Sequence, residues 1–241
     1  MSDETKVALI TGGNRGIGFE TGRELGELGF TVLLGSRDLE KGKAAAARLA
    51  GRGIQAEAVK LNMNSQDDYV AVRDFIEERF GKLDVLVNNA AIVVKDASTG
   101  VPMGELREIF DTNFFGLVAL TQVLLPLVKK APAGRIVNVS SVMGSMGLLS
   151  DPKSWLYELK MFAYGSSKAA LNFFTVCLAH ELRGTNIKVN SADPGWVKTE
   201  MGGPDAPTEV SEGGKSTLRL ATLPDDGPTG RFFRVEQEFP W

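Results

Sequence analysis

Val7-Ala8-Leu9-Ile10-Thr11-Gly12-Gly13-Asn14-Arg15-Gly16-Ile17-Gly18 decides the architecture. Residues 7–10 are an apolar run without polar alternation, the pattern of a central parallel strand covered on both faces. Glycines 12, 16 and 18 follow at once, and the periodicity after them predicts a helix reaching about residue 28. Glycines between a strand and a helix permit a tight turn and let backbone N–H groups approach an anion at the helix N-terminus. Arg15 stands in that first turn, where a cation opposes the helix dipole unless an anion lies beside it. Spacing alone is weak support, because with 27 glycines in the chain chance supplies about 0.3 such triplets. Placement between a strand and a helix carries the argument against a plain turn.

Outward from this turn the strand–helix cycle repeats. Residues 31–34 read as a strand, Asp38 as the cap of an alanine-rich helix ending at Gly51, and residues 54–61 as a strand again. Residues 66–80 read as a helix stopped by Gly81, 83–87 as an apolar strand, and 104–130 as one long helix. Further strands are expected at 135–139, 187–189 and 232–235, with a helix over 162–183. Such alternation implies an α/β fold: a single-domain, Rossmann-like, doubly wound parallel sheet of about seven strands spanning residues 1–241, with its ligand at the carboxyl edge. Irregular segments 144–160 and 195–214 follow strands on that edge, where they could shape a substrate pocket.

Composition narrows the chemistry. Hydrophobic residues at 43% and charged residues at 24% are ordinary globular values. A net charge of −3 offers no basic face for a nucleic acid. The lone Cys177 cannot form an internal bridge, and Asp3 and Glu4 replace the basic start of a leader, so a cytoplasmic setting is expected. The greasy stretch 114–128 contains Thr121, Gln122 and Pro126 and is shorter than a membrane span of about 20 residues. With His180 the only histidine, neither a histidine-rich metal site nor a Ser-His-Asp triad is expected.

At the end of the second strand an acid would suit the ribose hydroxyl of NAD, whereas an arginine would suit the 2′-phosphate of NADP. Gly35, Ser36 and Arg37 stand there, and Asp38 is explained as a cap, so Arg15 and Arg37 favour NADP over NAD. Tyr164 and Lys168 lie four apart on a predicted helix and so share one face. A phenolate at pH 7 needs about 4 kcal/mol of help, and an ammonium about 4 Å away supplies a similar amount at an effective dielectric near 20. An exposed helix face is the plainer reading of the same spacing. Asn113 falls inside the apolar stripe of Leu106, Ile109, Phe110, Leu117, Leu120 and Leu124; a buried amide without partners costs about 1–3 kcal/mol, so it is either a satisfied core asparagine or a functional one. Ser140 and Ser141 end a strand on the carboxyl edge and could be simple turn residues.

Together with Asn88-Asn89-Ala90, Val139-Ser140-Ser141, Tyr164-Gly165-Ser166-Ser167-Lys168 and Pro194-Gly195-Trp196-Val197-Lys198-Thr199, the glycine turn and Asn113 resemble the ordered motifs of the short-chain dehydrogenase/reductases over residues 6–235. Gly-Gly-Asn-Arg at 12–15, Pro-Gly-Trp-Val at 194–197 and the ending Leu223-Pro224-Asp225-Asp226-Gly227-Pro228-Thr229-Gly230 are most similar to the NADPH-dependent carbonyl reductases. The resemblance implies a tetrad. Tyr164 would be the acid–base residue, Lys168 would lower its pKa and hold the nicotinamide ribose, Ser141 would bind the substrate carbonyl, and Asn113 would hold a water. It also implies NADP(H) contacts at Gly12, Asn14, Arg15, Gly16, Ile17, Gly18, Arg37, Asn62, Met63, Asn89 and Thr199, and a substrate wall at Trp196. An ordinary packed loop aromatic is an equal reading of Trp196.

Two departures stand out. Ala91 replaces a glycine often found after Asn-Asn-Ala, and the interval from Ser141 to Tyr164 is longer than in the plainest members but shorter than in monomeric carbonyl reductases. Residues 146–161, with Trp155, Leu156 and Tyr157, form an insertion that could cover an oligomerisation face, line the pocket, or do both. It leaves monomer and homo-oligomer open. The expected partner is a small-molecule carbonyl compound reduced to an alcohol, with no nucleic acid, no membrane and no metal. A 3-oxoacyl-thioester reductase is an alternative; its acidic carrier would favour Lys153, Lys160 and Lys198, which Asp151, Glu158 and Glu200 offset. A non-catalytic NADP-sensing regulator would have no need of Tyr164 or Ser141.

Overall fold

A computed structural model describes residues 5–93 and 99–241; Asp3 and Glu4 lie outside them. Strand β1 (Val7–Thr11) passes through the glycine turn into α1 (Gly16–Glu27), β2 (Thr31–Ser36) into α2 (Leu39–Ala50), and β3 (Ala56–Lys60) into α3 (Gln66–Phe80). After β4 (Val85–Asn88) a long helical rod comprises α4 (Met103–Phe110), a π-helical turn (Asp111–Phe115) and α5 (Gly116–Lys130). Next, β5 (Arg135–Val139) leads into a 3-10 turn (Val142–Gly144), α6 (Met146–Ser150) and α7 (Phe162–Glu181). Finally β6 (Lys188–Ala192), α8 (Val210–Gly213), α9 (Lys215–Ala221), β7 (Phe232–Arg234) and β8 (Gln237–Glu238) complete the described chain.

One sheet runs in the order β3-β2-β1-β4-β5-β6-β7-β8, parallel except for the antiparallel β7–β8 pair. The seven expected strands are present, and β8 is added. It is two residues long and exposed, too short to show a period of its own. Strand order reverses between β1 and β4, with Leu9 paired to Leu33 on one side and Leu86 on the other, so the loops after these two strands open into one crevice.

Local chemistry sets the helix ends. The Asp38 carboxylate caps α2 by accepting from the Lys41 amide at 3.2 Å, and Ser65 caps α3 through Asp68 N. Gly81 stops α3 in the left-handed region at φ 70°. The rod expected as a continuous α-helix over 104–130 instead contains a π turn. Directly after the turn the backbone passes close to Met63, where a Cβ at Gly116 would lie 1.8 Å from the carbonyl oxygen, and Asn113 within the turn is buried. By length and mean hydropathy (1.4) the rod Met103–Lys130 could cross a membrane. Here its apolar stripe of Leu117, Leu120, Leu124, Leu127 and Val128 is buried against the sheet.

Each face of the sheet has its own core. Leu9, Leu33, Leu86 and Ile136 point toward α3, α5 and α7, while Ile10, Leu34, Val87 and Val137 point toward α1, α2 and α9. Through the first layer runs a buried polar chain. Asn88 donates to Thr121 Oγ1 (3.0 Å) and Asn138 Oδ1 (2.9 Å), Asn138 donates to Thr175 Oγ1 (2.8 Å), and Thr175 meets Ser191 Oγ at 2.9 Å. This line stitches β4, β5 and β6 to α5 and α7, with the Asn88 Oδ1 at its start left without a partner among the described residues, and paired polar groups of this kind specify one register among apolar strands.

Candidate active site

The glycine turn is shaped for close approach. Gly12 and Gly16 have φ of 64° and 55°, which other residues rarely adopt. A Cβ at Gly18 would stand 2.5 Å from Asn89 Nδ2 and 2.7 Å from the Gly12 carbonyl oxygen. Asn89 is the buttress: its side chain donates to Thr11 O at 2.8 Å, while the Thr11 hydroxyl accepts from the amides of Asn89 (2.9 Å) and Ala90 (2.8 Å). No side chain caps α1, and no acidic residue stands in its first turn, so its leading N–H groups point to where a pyrophosphate would fit.

Around this turn lie other residues that the sequence singles out. Arg15 is ion-paired with Glu200, bridging the turn to the 195–214 segment; both side chains are largely exposed, so the pair is weak. Thr199 sits across from Gly16 and accepts from the Gly202 amide at 3.0 Å. Arg37 is exposed at the end of β2 and has no ion-pair partner among the described residues. Asn62 and the buried Met63 form the turn after β3; the Asn62 amide donates to Asp68 Oδ2 at 2.8 Å, and the Met63 carbonyl accepts from the Tyr69 phenol. Among the described residues no hydrogen bond links the Asn14 side chain to the other groups, and Ile17 packs toward Gly213 of α8.

On α7, Tyr164 and Lys168 share one face, with the ammonium 5.6 Å from the ring centroid. Lys168 is 2% exposed, and its Nζ donates to the Val139 carbonyl at 2.7 Å, where β5 ends. Burial pulls the Lys168 pKa down to about 8. The Tyr164 phenol is pushed well above its ordinary value, first by burial and then by the negative charge of Asp193; a hydrogen bond with Ser141 opposes both. Burial therefore dominates among the protein's own groups, and the phenol holds its proton at neutral pH.

The two serines take different places. Ser140 is buried and donates to Asn172 Oδ1 at 2.6 Å. Ser141 caps the 3-10 turn through Met143 N and is the hydroxyl that meets Tyr164. Asn172 in turn donates to Gly144 O at 3.2 Å, clamping the Ser141 turn against α7.

Asn113 is fully buried, and its amide is spoken for. It accepts from Ile92 N at 2.8 Å and donates to Ile92 O at 2.9 Å and to Ser167 Oγ at 3.1 Å. Both amide protons are used in tying the π turn to the segment after β4 and to α7. In this geometry Asn113 is a satisfied amide that orders three elements around Tyr164.

Insertion 146–161 packs inward through Leu156, which joins Val142, Met143, Phe232 and Phe239, with Met161 and Tyr164 beside them. The chain end holds it: Ser145 Oγ donates to Pro240 O (2.6 Å), Gly147 N donates to Trp241 O (2.7 Å), and the Trp241 ring stacks on Phe232. Phe173 on α7 stays 71% exposed, so the insertion leaves that part of the helix open. Trp196 is also exposed, its indole N–H donating to Gly202 O at 2.8 Å, which fixes the ring on the 195–214 segment. Among His, Cys, Asp and Glu of the described residues no cluster could hold a metal ion.

Sequence reading passed over Asp193, Asn172, Ser167 and Arg234. Only Asp193 carried a signal, an acid directly after a strand on the carboxyl edge and next to Pro194-Gly195.

The short chain dehydrogenase family profile matches residues 6–209. Mouse carbonyl reductase [NADPH] 1 is 34% identical over the full length of both chains, and its human counterpart is 35% identical over 98% of this chain and all of its own. Among solved structures, the NADPH-bound carbonyl reductase from chicken fatty liver superposes with a TM-score of 0.86 at 28% identity, covering 99% of this chain and 100% of that one. The chain belongs to the short-chain dehydrogenase family of oxidoreductases.

Proposed function

We propose that the chain is an NADPH-dependent carbonyl reductase, a cytoplasmic enzyme that converts a small-molecule ketone or aldehyde into an alcohol, with residues 1–241 as one reductase domain. The observation that carries this reading is the meeting of Tyr164, Lys168 and Ser141 at the carboxyl edge that also bears the glycine turn. NADP(H) is the cofactor, and when bound it supplies the hydride.

Gly12, Asn14, Arg15, Gly16, Ile17 and Gly18 would hold its pyrophosphate side, Arg37 a 2′-phosphate, Asn62, Met63 and Asn89 the adenosine side, and Thr199 the carboxamide. The uncapped N-terminus of α1 and Arg37, unpaired among the described residues, support that fit. Lys168 would orient the nicotinamide ribose, and Asn113 would keep the π turn in place behind it, with a water in the proton relay.

Tyr164 holds a proton at its Oη in the neutral range, which suits donation to a carbonyl oxygen that is gaining negative charge. Ser141, whose hydroxyl lies close to that phenol, would steady the same oxygen, as preorganised donors do for developing oxyanions. Trp196 and the 144–160 and 195–214 segments would form the substrate wall.

The test is Tyr164→Phe, followed by NADPH consumption with a panel of aromatic ketones, with NADH in parallel. A loss of at least a hundredfold in kcat with unchanged NADPH affinity is expected; undiminished turnover would refute the assignment. Turnover of 3-oxoacyl thioesters far above simple ketones would move the substrate class. Tight NADPH binding without turnover across the panel would replace the enzyme with a sensor.

A further inference from the structure

We propose that the Asp193–Arg234 ion pair is a positioning device for this site: one buried carboxylate anchors both the Ser141-bearing turn and the Gly195 turn, and it sets a negative charge, partly cancelled by Arg234, on the side of the Tyr164 phenol. This rests on the reading of Tyr164 as proton donor.

Asp193 is 1% exposed. A carboxylate so buried must find compensation. Its Oδ1 accepts from the Val142 amide at 2.9 Å, and its Oδ2 accepts from the Gly195 amide at 3.1 Å and from Arg234 Nε at 2.5 Å. Its own amide donates to Phe233 O at 2.7 Å.

One side chain therefore couples the ends of β5, β6 and β7. Val142 directly follows Ser141, and Gly195, left-handed at φ 81°, directly precedes Trp196. Moving the carboxylate would shift the two turns that frame the candidate substrate pocket.

The charged and polar groups facing Tyr164 come from separate elements: Lys168 on α7, Asp193 after β6, and the Ser141 hydroxyl after β5. Asp193 itself faces Arg234, whose guanidinium is 34% exposed and lies 5.4 Å from the Phe239 ring centroid. Removing the acid removes a charge that disfavours the phenolate, whereas removing the arginine exposes the phenol to the full charge. A purely structural anchor would give no such pair of opposite effects.

The experiment compares Asp193→Asn, Arg234→Gln and Arg234→Lys with the parent chain. Hydrogen exchange at residues 141–145 and 193–197 is followed without cofactor, and the pH profile of NADPH-dependent turnover is measured alongside NADPH affinity. In Asp193→Asn, exchange at the Val142 and Gly195 amides should rise at least tenfold, and the alkaline fall in kcat should move to lower pH by about half a unit or more. In Arg234→Gln that limb should move to higher pH, and Arg234→Lys should restore it most of the way.

Unchanged exchange in both replacements, or pH shifts of the same sign, would overturn the proposal. Should Asp193→Asn fail to fold, the two arginine variants carry the test. If the parent chain turns over no carbonyl at all, the reductase reading falls, and the exchange data still decide whether the anchor exists.

Discussion

Replacing Lys168 with Met should make the protein more stable at neutral pH and should erase a pH dependence that the parent chain carries. Lys168 is 2% exposed, and its pKa falls from 10.5 to about 8 through burial. A depressed lysine binds its proton less readily in the folded state, so stability rises with pH between about 8 and 10.5 and is lowered by a constant amount below that window. The full penalty at pH 7 is about 3 kcal/mol, at 1.36 kcal/mol per pH unit. Most of it is relieved by pH 10, where the folded chain has lost this proton and the unfolded chain still largely holds it. Met removes the charge but also the bond to Val139 O, and an orphaned carbonyl costs about 1–3 kcal/mol. The net gain at pH 7 is therefore modest, whereas the change in the difference between the two chains from pH 7 to pH 10 depends only on titration. Urea unfolding of both chains at pH 7, 8, 9 and 10 measures it. Parallel stability curves across that range would refute the claim that a buried ammonium is held here at a cost.

Gly116→Ala would normally gain up to about 1 kcal/mol in a helix, but its Cβ would sit 1.8 Å from Met63 O. A loss of about 2–3 kcal/mol is expected from the forced backbone shift, read by denaturant midpoint, and a more stable variant would show that the π turn adjusts freely. Arg37→Asp should weaken NADPH at least tenfold while leaving NADH equal or tighter, since an acid at the end of β2 suits a ribose hydroxyl and repels a phosphate. Titration calorimetry with both coenzymes checks it, and an unchanged preference would place the 2′-phosphate elsewhere.

Much of the fold was legible because it is local. Residues 7–10 and 85–87 are apolar without alternation, and the structure buries them in the middle of a parallel sheet. Asp38 reads as a cap from its place before an alanine-rich helix, and it caps. The helix expected over 104–130 misled, since its periodicity is that of one helix and does not show the π turn at Asp111–Phe115, and the short helices α6, α8 and α9 stand where the sequence reads as irregular or shows no pattern. Strand β8 was invisible because it exists by pairing with Arg234 and Phe233 and not by any pattern of its own.

The site divides the same way. Spacing put Tyr164 and Lys168 on one face of a helix, and motif order put Asn113, Ser141 and the glycine turn in one reading. That the Asn113 amide is spent on Ile92 and Ser167, and that Asp193 and Arg234 stand behind the pocket, could not be read along the chain. Nor could the direction in which Tyr164 is shifted, because an ammonium four residues away is a sequence fact while burial of the pair is a tertiary one. Periodicity and capping act over a few residues and are written in them. Desolvation and hydrogen-bond pairing depend on which distant groups arrive beside a side chain, and only the folded chain settles that.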